Sequence, residues 1–220
     1  MSLQENLAEI EERIVSAASS AGRSREEITL IAVSKTVDIE LLRDAYELGI
    51  REFGESRLQE ALPKIAALPA DVRWHFVGAL QSNKARRTAE NFSLIHSLGT
   101  ASALGEIAKA QTNAEVLIEV NIGEESQKSG IFPKLLDEFA KTVLHCDQVH
   151  LRGLMTVGPA EEPEAMRPYF RKMREMKEAL GLPILSMGMS SDFDVAIQEG
   201  ATHIRVGTAL FGARRRRTED

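Results

Sequence analysis

The sequence predicts a closed (β/α)8 TIM barrel, of the α/β class, with an extra N-terminal helix. Short β-rich runs alternate with helical stretches from about residue 29 to the end, which implies a parallel sheet. There are eight such units, the number that closes a barrel, whereas five or six would suit an open doubly wound sheet. At 220 residues the chain falls below the roughly 250 typical of these barrels, so its loops must be short. No Pro/Gly/Ser linker divides it, and residues 1–220 read as a single domain.

The opening segment, 1–22, reads as an amphipathic helix, with Leu3, Leu7, Ile10 and Ile14 at helical spacing. Ser2 with Glu5 makes a capping box, and Gly22 a stop. The strands follow as Thr29–Val33, Ile50–Phe53, Arg73–Val77, Phe92–His96, Glu115–Val120, His150–Val157, Ile184–Met187 and His203–Val206. Helices are expected at Ile39–Leu48, then opening at Ser56, after Ser82, after Thr100, after Pro133, after Pro163 and at Ser191, with a short helical tail. Residues 213–220, with the basic run Arg214 to Arg217, read as a solvated, flexible tail; the alternative is a contact for an acidic partner or a phosphate.

Composition excludes several classes. With 27 basic against 33 acidic residues the net charge is −6, which argues against a nucleic-acid binder. Cys146 is alone, so no intrachain disulfide can form. The five histidines lack metal-ligand spacing, and no metal is expected. The N-terminal apolar positions are interrupted by Glu5, Glu9, Glu11 and Glu12, unlike a secretory signal, and no apolar run approaches bilayer length. These features predict a cytoplasmic protein with no membrane partner.

In such barrels the active face is the C-terminal end of the strands. At the first, Lys35 follows an apolar strand and shares a face with Ile31 and Val33. It is either a lysine that snorkels to the rim or a Schiff-base lysine; burial among apolar groups would favour the neutral amine that attacks an aldehyde. After strand seven, Gly188, Ser190 and Ser191 precede a helix start, where backbone N–H groups can cradle an anion. Ser191 with Asp194 also reads as a plain S-x-x-D cap. After strand eight, Arg205, Gly207 and Thr208 occupy the other position where these barrels often bind phosphate. Together with Lys35, the two turns suggest a phosphorylated aldehyde, for which pyridoxal 5′-phosphate (PLP) is the obvious candidate. Ser56 with Gln59 reads as an S-x-x-Q capping box, His75 as a satisfied core histidine, and Trp74 as core or helix-facing.

The segments Ala32-Val33-Ser34-Lys35-Thr36, Phe53-Gly54-Glu55, His75-Phe76-Val77-Gly78 with Leu80-Gln81-Ser82-Asn83-Lys84, Gly153-Leu154-Met155-Thr156, Ser186-Met187-Gly188-Met189-Ser190 and Arg205-Val206-Gly207-Thr208 resemble the pyridoxal phosphate homeostasis proteins. The likeness runs from about Thr29 to Gly212. It implies PLP fold type III, a barrel like the N-terminal domain of alanine racemase without the racemase's second domain. It further implies that Lys35 carries PLP as a Schiff base, that Ser190, Gly207 and Thr208 bind the phosphate, and that Arg205 faces the pyridine nitrogen. Family members are regarded as having no established catalysis and as acting in PLP (vitamin B6) homeostasis or delivery and amino-acid/keto-acid balance. The family usually has asparagine where Ser56 stands here, which removes any cofactor contact that needs the longer side chain.

An arginine facing the pyridine nitrogen leaves that nitrogen unprotonated, a weaker electron sink than a pyridinium. A racemase also needs acid–base groups on both faces of the substrate. The only tyrosines, Tyr46 and Tyr169, fall in predicted helices away from strand ends. The expectation is therefore a carrier with no catalytic residues, acting on PLP and in exchange with amino acids or PLP-dependent apoenzymes. The alternatives are a small amino-acid racemase or a Schiff-base aldolase. Without a dimer-building second domain the chain is expected to be a monomer, with an open mouth that leaves the cofactor exchangeable.

Overall fold

A computed structural model describes residues 2–212. Strands β1 (Thr29–Val33), β2 (Glu52–Glu55), β3 (Arg73–Phe76), β4 (Leu94–Leu98), β5 (Ala114–Glu119), β6 (Val149–Met155), β7 (Ile184–Met189) and β8 (His203–Val206) pair in chain order, all parallel. β8 returns to β1, with Ile31 opposite Arg205, and so closes the barrel. The helices are α1 (Leu3–Ser20), α2 (Ile39–Glu47), α3 (Leu58–Ala67), α4 (Ser82–Ala89), α5 (Ala101–Ala108), α6 (Leu136–Leu144), α7 (Arg167–Ala179), α8 (Phe193–Gln198) and α9 (Thr208–Phe211). The expected tail at 213–220 lies outside the described residues.

Period-2 alternation divides the strand residues between two cores. Leu30, Ala32, Phe53, Trp74, Ile95, Val116, Leu154, Leu185 and Ile204 point outward and pack with the helices. Leu94, Leu117 and Met155 form a separate small apolar cluster, with Ile184 against it. The rest of the interior is unusually polar for a barrel: His75, His96, Ser186 and Arg205 are all buried.

The Ser2–Glu5 capping box forms, with Glu5 N–H donating to Ser2 Oγ (3.2 Å) and Ser2 N–H to Glu5 Oε2 (2.7 Å). α1 buries Ile10, Ile14, Ala17 and Ala18. It is tied to the helices that follow β7 and β8: Arg13 pairs with Asp194 and lies 4.1 Å from the Phe193 ring, and Asn6 Nδ2 donates to Leu210 O (2.9 Å). The extra helix therefore braces the two units expected to hold the phosphate.

Most expected strand ends shift by one or two residues, β6 closing at Met155 and β7 at Met189, and four departures have a local cause. β2 and β4 start at Glu52 and Leu94, two residues after the apolar residues Ile50 and Phe92. Both are buried, but in the approach to the strand, because apolar character reports burial and not ladder pairing. The Ser56–Gln59 box does not form: α3 opens at Leu58 after Arg57, with no side-chain cap. Ser56 is instead pressed against Gly78, where a Cβ would fall 2.2 Å from Ser56 O. Nor does Ser191 cap α8. That helix opens at Phe193, and the Asp192 carboxylate accepts from Met189 N–H (2.6 Å). Among the described residues, no helix is long and apolar enough to cross a membrane.

Candidate cofactor site

Loops from the C-terminal ends of β1, β7 and β8 surround a cavity of about 820 Å³, within the range of small-molecule sites. Lys35, Ser190, Ser191, Arg205, Gly207 and Thr208 all line it, joined by Ser56 and Val77 from the ends of β2 and β3. Six residues chosen from three separate strand ends thus meet around one space. Neither Tyr46 nor Tyr169 is among the lining residues, and the Tyr46 hydroxyl is bonded to Asp71 (2.9 Å). Among the described residues, no group of three or more His, Cys, Asp or Glu could hold a metal ion.

Of the two positions open to Lys35, at the rim or buried among apolar groups, the structure shows the first: the side chain is exposed at the barrel mouth. The backbone turns sharply there. Thr36 takes a left-handed φ of 63°, uncommon for a β-branched residue, and Val37 N–H donates to Ser34 O (3.0 Å). Ser34, one step earlier, is fully buried against a pair that sequence reasoning missed. Lys64 Nζ donates to Glu55 Oε1 (2.6 Å) and to Ser34 O (2.7 Å), while Ser34 Oγ donates to Glu55 Oε1 (2.7 Å). The signal for Lys64 lies in its phase, since Leu58, Ala61 and Lys64 fall three apart on the buried face of α3.

On the other side of the cavity, Ala209 N–H reaches Ser190 Oγ (3.4 Å), linking the β7 loop to the first turn of α9. The β7 loop itself depends on Gly188. Its φ is +90°, and a Cβ would lie 2.6 Å from Ala196 Cβ. Arg205 is only 5% exposed. Its Nη1 donates to Ser186 Oγ (2.6 Å) and its Nη2 to Thr156 O (2.8 Å). Burial lowers its pKa to about 10, with Asp192 and Glu119 acting in the opposite direction, so the guanidinium stays charged at neutral pH.

His75 is buried and hydrogen-bonded, as a core histidine should be. His203 lies beside it, with ring centroids 6.2 Å apart. Burial, followed by the charge of His75, lowers the His203 pKa to about 4. Between that value and the ordinary 6.5 the unfolded chain holds a proton that the folded chain refuses, so stability rises with pH across this window. Acidification from pH 7 to 4 is expected to remove stability on the order of 3 kcal/mol at this residue. Urea unfolding at the two pH values checks this, and His203→Gln should flatten the slope.

Residues 3–215 match the family model described as alanine racemase, N-terminal domain, the class of barrel to which the fold and the site both point. A solved alanine racemase from Clostridium difficile 630 superposes with a TM-score of 0.72 at 15% identity, covering 98% of this chain and 57% of that one; that likeness concerns the fold alone. Within this class the chain belongs to the pyridoxal phosphate homeostasis protein family. It is 44% identical to the "Pyridoxal phosphate homeostasis protein" of Aquifex aeolicus (strain VF5) over 227 residues, 98% of this chain and 100% of that one. It is also similar to PipY of Synechococcus elongatus PCC7942, whose structure with PLP bound gives a TM-score of 0.80 at 34% identity, covering 96% and 100%.

Proposed function

We propose that this protein binds PLP as a Schiff base on Lys35 and acts in PLP homeostasis or delivery, without robust turnover. The observation that carries this reading is the convergence of an exposed amine, the hydroxyls of Ser190, Ser191 and Thr208 and a buried guanidinium on one cavity of ligand size. The donor set fits the cofactor. Ser190, Ser191, Gly207 and Thr208 are assigned to the phosphate, Lys35 to the aldehyde and Arg205 to the pyridine nitrogen. PLP, when bound, supplies an aldehyde that exchanges between amines and a ring that can withdraw electrons. Against Arg205, which can only donate, the ring nitrogen is an acceptor and its electron demand is restrained.

Racemisation would require a second acid–base group opposite the lysine, and no tyrosine lines the cavity. Lys35 and Thr208 are exposed, which favours exchange of the cofactor with amino acids or with a recipient apoenzyme. The protein is read as cytoplasmic and monomeric, with the barrel as its single domain. PLP-loaded protein incubated with L- or D-alanine should leave the enantiomer unchanged. Interconversion at rates typical of enzymes, on the order of 1–1000 per second, would establish the racemase reading instead.

A further inference from the structure

Beneath the cavity, a line of buried polar side chains crosses the barrel interior. Arg205 Nη1 meets Ser186 Oγ (2.6 Å), Ser186 Oγ meets His96 Nδ1 (2.9 Å), and His96 Nε2 meets His75 Nδ1 (2.9 Å). His75 Nε2 then meets Glu52 Oε2 (2.5 Å) at the start of β2, the end of that strand away from the cavity. Glu52 is partly exposed there and lies 3.7 Å from Arg73. None of Glu52, His75, His96 and Ser186 lines the cavity.

Donor and acceptor roles along this line are not interchangeable. The Glu52 carboxylate only accepts and the Arg205 guanidinium only donates, so with both histidines neutral Ser186 Oγ accepts from Arg205 and turns its own proton to His96 Nδ1. That leaves the His96 proton on Nε2, donated to His75 Nδ1, and the His75 proton on Nε2, donated to the Glu52 carboxylate. Each step decides the next, and a carboxylate at one end faces a guanidinium at the other.

We propose that Glu52, His75, His96 and Ser186 form a one-directional hydrogen-bond relay that positions Arg205 for the cofactor ring from the opposite end of the barrel. The inference rests on the reading of Arg205 as the group facing the pyridine nitrogen. These four are positioning residues; none of them touches the ligand. The relay requires a neutral His96, and its pKa is held well below the ordinary histidine value first by burial, with the neighbouring Arg205 guanidinium acting in the same direction. Burial acts to raise the Glu52 pKa, but its bond and charge contact with His75, with Arg73 and His203 adding, lower it on balance, which keeps the accepting end ionised.

Two measurements test the relay. Nitrogen-15 NMR of the histidines, on the full chain without PLP at pH 8, should find both His75 and His96 neutral with the proton on Nε2. Glu52→Gln, whose amide can donate as well as accept, should give mixed tautomers at His96 although residue 52 does not touch it. A proton on Nδ1 of either histidine in the wild type, or an unaltered His96 in the variant, would overturn the relay.

The second is a PLP titration of wild type, Glu52→Gln, Ser186→Ala and the double variant. Each single change should weaken binding about three- to tenfold, and the double variant should be no weaker than the weaker single, because both cut the same line. Losses that add, or a Glu52→Gln that binds like wild type, would overturn the coupling to the cofactor. If even the wild type binds no PLP, the functional reading fails, and the relay still stands or falls on the NMR.

Discussion

Lys35→Ala is expected to abolish covalent PLP capture and with it the visible absorption of the loaded protein. The cavity keeps its hydroxyls and Arg205, so residual binding should persist but weaken by about 100-fold, roughly 2.8 kcal/mol. The loss should come without loss of fold, because Lys35 is exposed and its side chain makes none of the hydrogen bonds or ion pairs found among the described residues. Absorption spectra of wild type and variant after PLP addition, followed by dialysis, make the comparison. A variant that retains the colour would move the Schiff base to another lysine. A wild type that stays colourless would make the cavity a site for some other phosphorylated ligand.

The second large effect is expected in stability. Glu55 is fully buried and Lys64 nearly so, with the pair enclosed between the barrel wall and α3. Removing one partner strands the other as a buried charge, which costs about 3–5 kcal/mol. Glu55→Ala is therefore expected to lower unfolding free energy by that amount in urea, and Lys64→Met by a similar amount. The double replacement of Glu55 and Lys64 by apolar residues of matching volume should recover much of it, since a buried pair gains little over good apolar packing. Equal losses in single and double variants would show that hydrogen bonding to Ser34, and not charge pairing, dominates. Because Lys64 also holds the Ser34 carbonyl, both single variants should disturb the turn that presents Lys35 and weaken PLP binding as well as the fold.

Local rules and alternation were sufficient for much of this architecture. The β8 boundaries His203–Val206, the Ser2–Glu5 box and the opening of α5 after Thr100 all appear where sequence places them. Each depends on groups within a few residues, or on a run whose apolar character coincides with its pairing. The mouth residues were legible for a related reason. Parallel strands all end on one face, so residues following strands one, seven and eight must converge once the barrel closes. Ser56 and Ser191 show the limit of local rules, because each has the spacing of a cap but is claimed by other contacts. Lys35 was open to two positions for a similar reason: its strand is apolar, but position 35 lies beyond the last ladder residue, where the wall ends and the side chain is exposed.

What the sequence by itself determined is the number and order of the βα units, the end of the barrel at which the cavity opens, and residues that line that cavity. Only the tertiary structure decided which polar groups meet inside. His75 meets His96 across 21 residues of chain, and His96 meets Ser186 across 90. Such contacts follow from strand register and closure, which bring together residues on different strands. A single sequence encodes side-chain direction along each strand but not the stagger between strands. For that reason a buried histidine could be recognised at position 75, whereas its place in a line from Glu52 to Arg205 could not.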